Sequence, residues 1–182
     1  MKCVEVNLGD RKIQIIDNIF TLHERIAFYE FYRKSSYSIG WEDDSVIENQ
    51  HLKYMHCRLY EKDLKALNFM PGIMRNSFTG PLTQSHSIGT IVTNLSFSNN
   101  TYYNHTHIQD KVLLYYGNMS WKTEWAGETL FFNDDGSEIV YATPYVPGRV
   151  IVFDGQIPHT IRPQAASAPH FRFTMGMFWQ KK

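Results

Sequence analysis

The sequence predicts a mainly β domain, either a sandwich or a closed, jelly-roll-like barrel, with supporting helices at its N-terminus. Three observations predict it. Aromatic residues make up 15% of the 182 residues, and aromatic side chains suit pleated, half-buried surfaces. Helix signals are confined to the stretch before residue 80. From Ile88 onward, short apolar runs follow one another at regular spacing, divided by turn residues.

The N-terminal stretch opens with a short strand over 13–16. Thr21-Leu22-His23-Glu24 then has the form of a capping box, in which the Thr hydroxyl and the Glu carboxylate satisfy backbone N–H groups at a helix start. Ile26, Phe28, Tyr29, Phe31 and Tyr32 continue as a broad apolar stripe to Lys34. A second helix is expected over 61–68, stopped by Pro71-Gly72. Strands are expected over 90–96, 102–105, 111–117, 128–132, 139–143, 149–153, 159–161 and 171–179. Asn99-Asn100, Asn133-Asp134-Asp135-Gly136, Pro147-Gly148, Asp154-Gly155 and Pro163 separate them. The chain reads as one domain over 1–182, with a helical support region over 1–80 and a β core over 88–179.

Composition narrows the function. Eighteen basic and eighteen acidic residues give a formal net charge of zero, so a general nucleic-acid binder, with its basic excess, is not expected. No apolar run reaches the roughly 20 residues of a membrane span, and no secretory signal opens the sequence. Cys3 and Cys57 make no CxxC pair and no disulfide framework, which fits a reducing, cytoplasmic setting.

Chemistry concentrates in the histidines. His23, His51 and His56 have no partner pattern. His105 and His107 stand two apart, and residues i and i+2 of a strand share a face, so two imidazoles converge. Alone, such a pair is also what a polar strand end looks like. His159 follows the 149–153 strand and the Asp154-Gly155 turn. A pair at one strand end and a distant third imidazole make a facial metal site with open positions, suited to Fe(II) when oxygen ligands complete it. Arg172 alternates with Phe171, Phe173 and Met175, which leaves one strand face carrying Arg172 and Thr174. A guanidinium inside a barrel requires an anion, either an acidic side chain or the carboxylate of a small acid held bidentately.

Several blocks in order resemble a known family. These are Val112-Leu113-Leu114-Tyr115-Tyr116-Gly117-Asn118, Trp121, Glu124-Trp125-Ala126-Gly127-Glu128-Thr129-Leu130-Phe131, Pro147 through Gly155, Pro158-His159 and Arg172-Phe173-Thr174. Together they resemble the prolyl 4-hydroxylase-like branch of the Fe(II)/2-oxoglutarate dioxygenases, in its short bacterial and phage form, over roughly 88–179. The resemblance implies a double-stranded β-helix of eight antiparallel strands. It implies Fe(II), 2-oxoglutarate and O2 as cofactor and cosubstrates, and leaves room for ascorbate. The implied reaction hydroxylates an unactivated C–H bond while 2-oxoglutarate is decarboxylated to succinate and CO2.

The resemblance also implies site residues. His105 matches the first metal ligand and His159 the distal one. His107 stands where the family has a carboxylate, with Asp110 as the alternative ligand. Arg172 matches the base that pairs with the distal carboxylate of 2-oxoglutarate, Tyr116 the tyrosine beside it, and Thr174 and Thr129 line the same pocket. Trp121 and Trp125 are expected to close the outside of the barrel. The substrate is expected to be a peptide or a small molecule, approached over the loops 37–46 and 76–87.

Two other readings share the fold. A cupin-type metalloprotein would bind metal without 2-oxoglutarate, but cupins follow His-x-His with a nearby Glu, and here the next is Glu124. A non-catalytic binding module would account for His107 but leave His105, His159 and Arg172 without a task.

Overall fold

The computed structural model describes residues 2–40, 52–100 and 102–182. The elements run β1 (Lys2–Leu8), β2 (Arg11–Asp17), α1 (Leu22–Lys34), β3 (Ser38–Ile39), β4 (Met55–Leu59), α2 (Glu61–Ala66), α3 (Phe69–Arg75), α4 (Gly80–Ser85) and β5 (His86–Ser96). They continue through β6 (Lys111–Tyr116), β7 (Thr129–Phe132), β8 (Ile139–Thr143), β9 (Val150–Asp154), β10 (His159–Ile161) and β11 (Arg172–Lys181). A large antiparallel sheet has the order β1-β2-β9-β6-β11-β5-β4-β3, and a small one the order β10-β7-β8.

Strand alternation divides the large sheet's two faces between two cores. Leu113 and Tyr115 of β6, Val150 and Val152 of β9, and Met175 and Met177 of β11 pack with Phe28 and Tyr32 of α1 and Phe69 and Ile73 of α3. Their strand neighbours Val112, Leu114, Tyr116, Ile151, Phe153 and Phe178 pack with Phe131 of β7 and Tyr145. The large sheet is therefore covered by helices on one face and by the small sheet on the other. The site lies in this second layer.

The N-terminal capping box forms as its sequence requires. Glu24 N donates to Thr21 Oγ1 at 3.3 Å, and Thr21 N donates to Glu24 Oε2 at 2.7 Å. Three local expectations change. The first eighty residues contribute β1, β3 and β4 besides the helices and the expected strand over 13–16, which is part of β2; β2 joins β9 through Ile13–Phe153 and β4 joins β5. Pro71-Gly72 does not mark a loop but lies inside α3. Pro71 sits in the first turn, where its missing N–H costs nothing, and Gly72 meets the Phe20 ring, whose Cε1 would lie 2.3 Å from an added Cβ. The segment 102–105 is not a strand. His105 alone pairs, through a two-bond bridge to His159.

Candidate metal centre and anion pocket

Two turns bring the histidines together. His159 opens β10 opposite Phe131 of β7. His105 N donates to His159 O at 3.1 Å, and His159 N returns a bond to His105 O at 3.0 Å. His107 N donates to Gly155 O at 2.8 Å, and Gln156 Nε2 donates to His107 O at 2.8 Å. The Asp154-Gly155 turn thus fixes the backbone of His107. Only glycine fits there, since a Cβ on Gly155 would lie 2.0 Å from Gln109 O.

The three imidazoles face one another, and one potential ligand atom from each lies within 4.8 Å of the others. Ring centroids are 4.5 Å apart for His105–His159, 4.9 Å for His105–His107 and 5.0 Å for His107–His159. Two rings are oriented from behind: His105 Nδ1 lies 3.1 Å from Tyr103 O and His159 Nδ1 lies 2.9 Å from Ile157 O. A carbonyl beside Nδ1 selects the Nδ1–H tautomer, which turns the Nε2 lone pair toward the cluster. The surroundings are apolar, with Phe178 4.5 Å from His107 and Phe153 4.7 Å from His159.

Burial, and then the His105 imidazole, hold His107 down at about 3. Burial, then His105 and His107, lower His159 well below its ordinary value, against a smaller upward push from the Ile157 carbonyl. Both are neutral at pH 7, the form that ligates a metal. At His107 and His159, proton competition in the folded chain therefore begins well below the unperturbed value near 6.5.

Arg172 enters the same layer from the start of β11. It is 1% exposed, and its Nε donates to Gly127 O at 3.0 Å. Its guanidinium lies over the Tyr145 ring at 4.6 Å and the Tyr116 ring at 5.4 Å. Among the described residues neither Nη1 nor Nη2 has a hydrogen-bond partner, and no acidic side chain pairs with it. Thr174, also fully buried, has an unpartnered Oγ1 among the described residues. Tyr116 Oη lies 2.7 Å from Thr129 Oγ1. A buried cation with two unpartnered donors and an unpartnered hydroxyl on the same strand face can receive an anion.

β7 links pocket and cluster. Thr129, bonded to Tyr116, is two residues from Phe131, which faces His159 across the β7–β10 pairing. Two residues along a strand span roughly 7 Å.

Other expected residues fall as follows. Asp110 is turned away from the imidazoles, accepting from Gln180 Nε2 at 2.7 Å and Lys181 N at 2.6 Å. Trp121 is not an outer cover. It is half-buried against the inner layer, 4.7 Å from Tyr145, because its Nε1 donates inward to Ala126 O at 2.9 Å. Trp125, also half-buried, contacts it edge-on. The 37–46 loop and His51 lie largely outside the described residues, while in 76–87 a turn leads into α4 and the last two residues open β5. Asn76 Oδ1 accepts from Phe78 N and Thr79 N there, and Pro81 follows at the helix start.

Sequence reasoning missed Tyr145 and Gly127. Tyr145 stacks on Tyr116 at 4.4 Å, and its hydroxyl accepts from Asn118 N at 3.1 Å. It sits in a proline-flanked loop that carries no periodic signal. Gly127 (φ +85°) lies so close to Arg172 that a Cβ would meet its Cδ and Nε at 3.2 Å.

No family model matches this chain, and no curated protein matches it. Solved structures do. An oxidoreductase of the 2OG-Fe(II) oxygenase family from Burkholderia pseudomallei superposes with TM-score 0.70 at 13% identity, over 93% of this chain and 85% of that one. The fold is the double-stranded β-helix of the 2-oxoglutarate oxygenases. A prolyl hydroxylase from Trichoplax adhaerens, solved with a hypoxia inducible factor peptide fragment, gives TM-score 0.63 at 16% identity, over 93% and 83%. A viral collagen prolyl hydroxylase from Paramecium Bursaria Chlorella virus-1, in complex with 2OG, gives 0.60 at 10%, over 93% and 96%. These neighbours match the family that the sequence motifs resemble.

Proposed function

We propose that this chain is an Fe(II)/2-oxoglutarate-dependent dioxygenase that hydroxylates an unactivated C–H bond, in the manner of the prolyl 4-hydroxylases. The observation that carries it is Arg172, a buried guanidinium with both terminal nitrogens unpartnered among the described residues, in the layer that also holds three convergent imidazoles. A cupin-like metal protein leaves that guanidinium unexplained.

The residues fit the group. His105, His107 and His159 would hold the metal, two of them oriented by backbone carbonyls. Arg172 and Thr174 would take the distal carboxylate of 2-oxoglutarate, with Tyr116 and Thr129 beside it. The metal and 2-oxoglutarate together supply the oxidising chemistry, with O2 consumed and succinate and CO2 released. The protein's part is placement and exclusion of water. The Tyr116 and Tyr145 rings flank the guanidinium and Phe153 and Phe178 wall the imidazoles, so charges inside interact strongly. A peptide or small molecule as substrate, a single-domain organisation, a cytoplasmic setting and a supporting role for ascorbate belong to the same proposal. Among the described residues no helix is long and apolar enough to cross a membrane.

Two measurements test this. Metal content after anaerobic Fe(II) loading is expected to be one ion per chain, lost in His159→Ala. Succinate is expected to form from 2-oxoglutarate only in the loaded wild type. Unchanged iron in His159→Ala would remove the site, and iron without any succinate would favour the cupin-like reading.

A further inference from the structure

Arg172 begins β11, and its own peptide faces β5, where it stands opposite Ser96 and Ser96 Oγ donates to Arg172 O at 3.3 Å. The peptides on either side of it face β6. The β6–β11 ladder stops short of them. Its register ends at Thr174 opposite Tyr116, and Gly117 N donates once more to Phe173 O at 2.9 Å. Phe173 N and Phe171 O, which flank Arg172, lie beyond that backbone pairing.

One side chain takes both. Phe173 N donates to Asn118 Oδ1 at 2.8 Å, and Asn118 Nδ2 donates to Phe171 O at 2.8 Å. A carboxamide carries an acceptor and a donor in one plane, and a single orientation of it satisfies both peptides. Asn118 is buried, so its removal would leave a buried N–H orphaned. The same residue fixes Tyr145. Asn118 N donates to Tyr145 Oη at 3.1 Å, and that hydroxyl lies 2.6 Å from both Asn118 Oδ1 and Phe173 O, either of which can accept its proton. The Tyr145 ring in turn lies under the guanidinium at 4.6 Å. Because Nη1 and Nη2 have no partner among the described residues, the orientation of the guanidinium falls to its Nε bond, that ring and the strand that carries it.

We propose that Asn118 is a positioning residue for the anion pocket. It acts through Arg172 and Tyr145, fixing the peptides on both sides of the cation and the ring beneath it, so that both terminal nitrogens are held ready for a carboxylate. That this carboxylate is the distal one of 2-oxoglutarate rests on the dioxygenase reading above. A bidentate contact needs its donors placed in advance, and a guanidinium free to wander loses affinity without losing charge.

The test uses the Mn(II)-loaded full chain and two ligands, 2-oxoglutarate and oxalate. Both can chelate a metal, but oxalate has no distal carboxylate to reach Arg172. Isothermal titration compares the wild type with Asn118→Ala. The 2-oxoglutarate constant is expected to weaken about tenfold or more, while the oxalate and Mn(II) constants stay within about twofold. A merely structural residue would weaken both ligands together, so a parallel loss overturns the proposal, as does an unchanged 2-oxoglutarate constant. If Asn118→Ala fails to fold, Asn118→Asp keeps the acceptor for Phe173 N and drops the donor to Phe171 O, and the same selective loss is expected of it. A second readout needs no ligand. The Arg172 Nε–H signal, identified by its absence from the nitrogen-edited NMR spectrum of Arg172→Lys, is expected to exchange with water about tenfold faster in the Asn118 variant. A wild type that binds Mn(II) and oxalate but not 2-oxoglutarate overturns the dioxygenase reading, and equal Nε–H exchange in the two proteins then overturns the role of Asn118.

Discussion

At the scale of single residues, the site depends on contacts that hold Arg172 still. Its Nε is tied to Gly127 O, and at φ +85° a Cβ on Gly127 would be strained and would crowd Arg172 Cδ and Nε at 3.2 Å. Gly127→Ala is expected to displace the guanidinium and weaken 2-oxoglutarate binding about tenfold or more, with metal binding unchanged. Calorimetry on the metal-loaded variant checks this, and a loss of metal would show a wider collapse. Arg172, Thr174 and Tyr116 were legible in the sequence because strand alternation and motif order mark them. Tyr145 and Gly127 were not. What they contribute is a ring under a cation and a gap beside it, and neither leaves a pattern along the chain. The convergence of His105 and His107 was legible too, though for a different physical reason. No regular strand aligns them, and the pairing to His159 and the bond to Gly155 do so instead.

At the scale of elements, the Asp154-Gly155 turn and the start of α3 show how backbone clearance decides structure. Gly155→Ala would drive a Cβ into Gln109 O, a backbone atom that cannot swing away. The 107–110 segment must then shift, so metal affinity is expected to fall while the β9–β6 pairing persists. Metal titration with far-UV circular dichroism separates the two. Unchanged affinity would mean that the turn does not position His107. In α1, Thr21→Ala removes the cap that accepts from Glu24 N. A loss of about 1 kcal/mol in unfolding free energy is expected from urea titration, with metal binding untouched. The capping box was legible because it is a local, four-residue device. α3 was hidden because Pro-Gly normally stops a helix; here Pro71 sits in the first turn, where no N–H is needed, and Gly72 lets the Phe20 ring approach. β1 was hidden because its mostly exposed residues make an edge strand with little apolar signal.

At the scale of the whole molecule, two core layers on one large sheet create a dry interior that also sets the response to pH. Well above about pH 6.5, His107 and His159 are neutral in the folded and the unfolded chain alike. Below it the unfolded chain binds protons that burial denies to His107 and His159. Stability of the metal-free protein is therefore full above about 6.5 and falls as pH drops toward the folded His107 value of about 3. Urea midpoints at about pH 7.5 and about pH 5 are expected to differ, the lower pH giving the lower midpoint. Equal midpoints would mean that the imidazoles are not buried neutral. The β core from residue 88 onward was legible through its spaced apolar runs. Of the strands that widen the large sheet from the N-terminal side, β2 was expected over 13–16, while β1, β3 and β4 were not.

The central claim is that the imidazole cluster and Arg172 form one site for a metal-bound 2-oxo acid. Isothermal titration of 2-oxoglutarate into the metal-loaded protein tests it most directly. Binding is expected in the wild type, with a roughly 30- to 1000-fold weaker constant in Arg172→Ala and metal content unchanged. That follows from losing a charge-assisted bidentate contact contributing about 2–4 kcal/mol, at about 1.4 kcal/mol per decade. No 2-oxoglutarate binding in the wild type, or the same constant in both proteins, would contradict it.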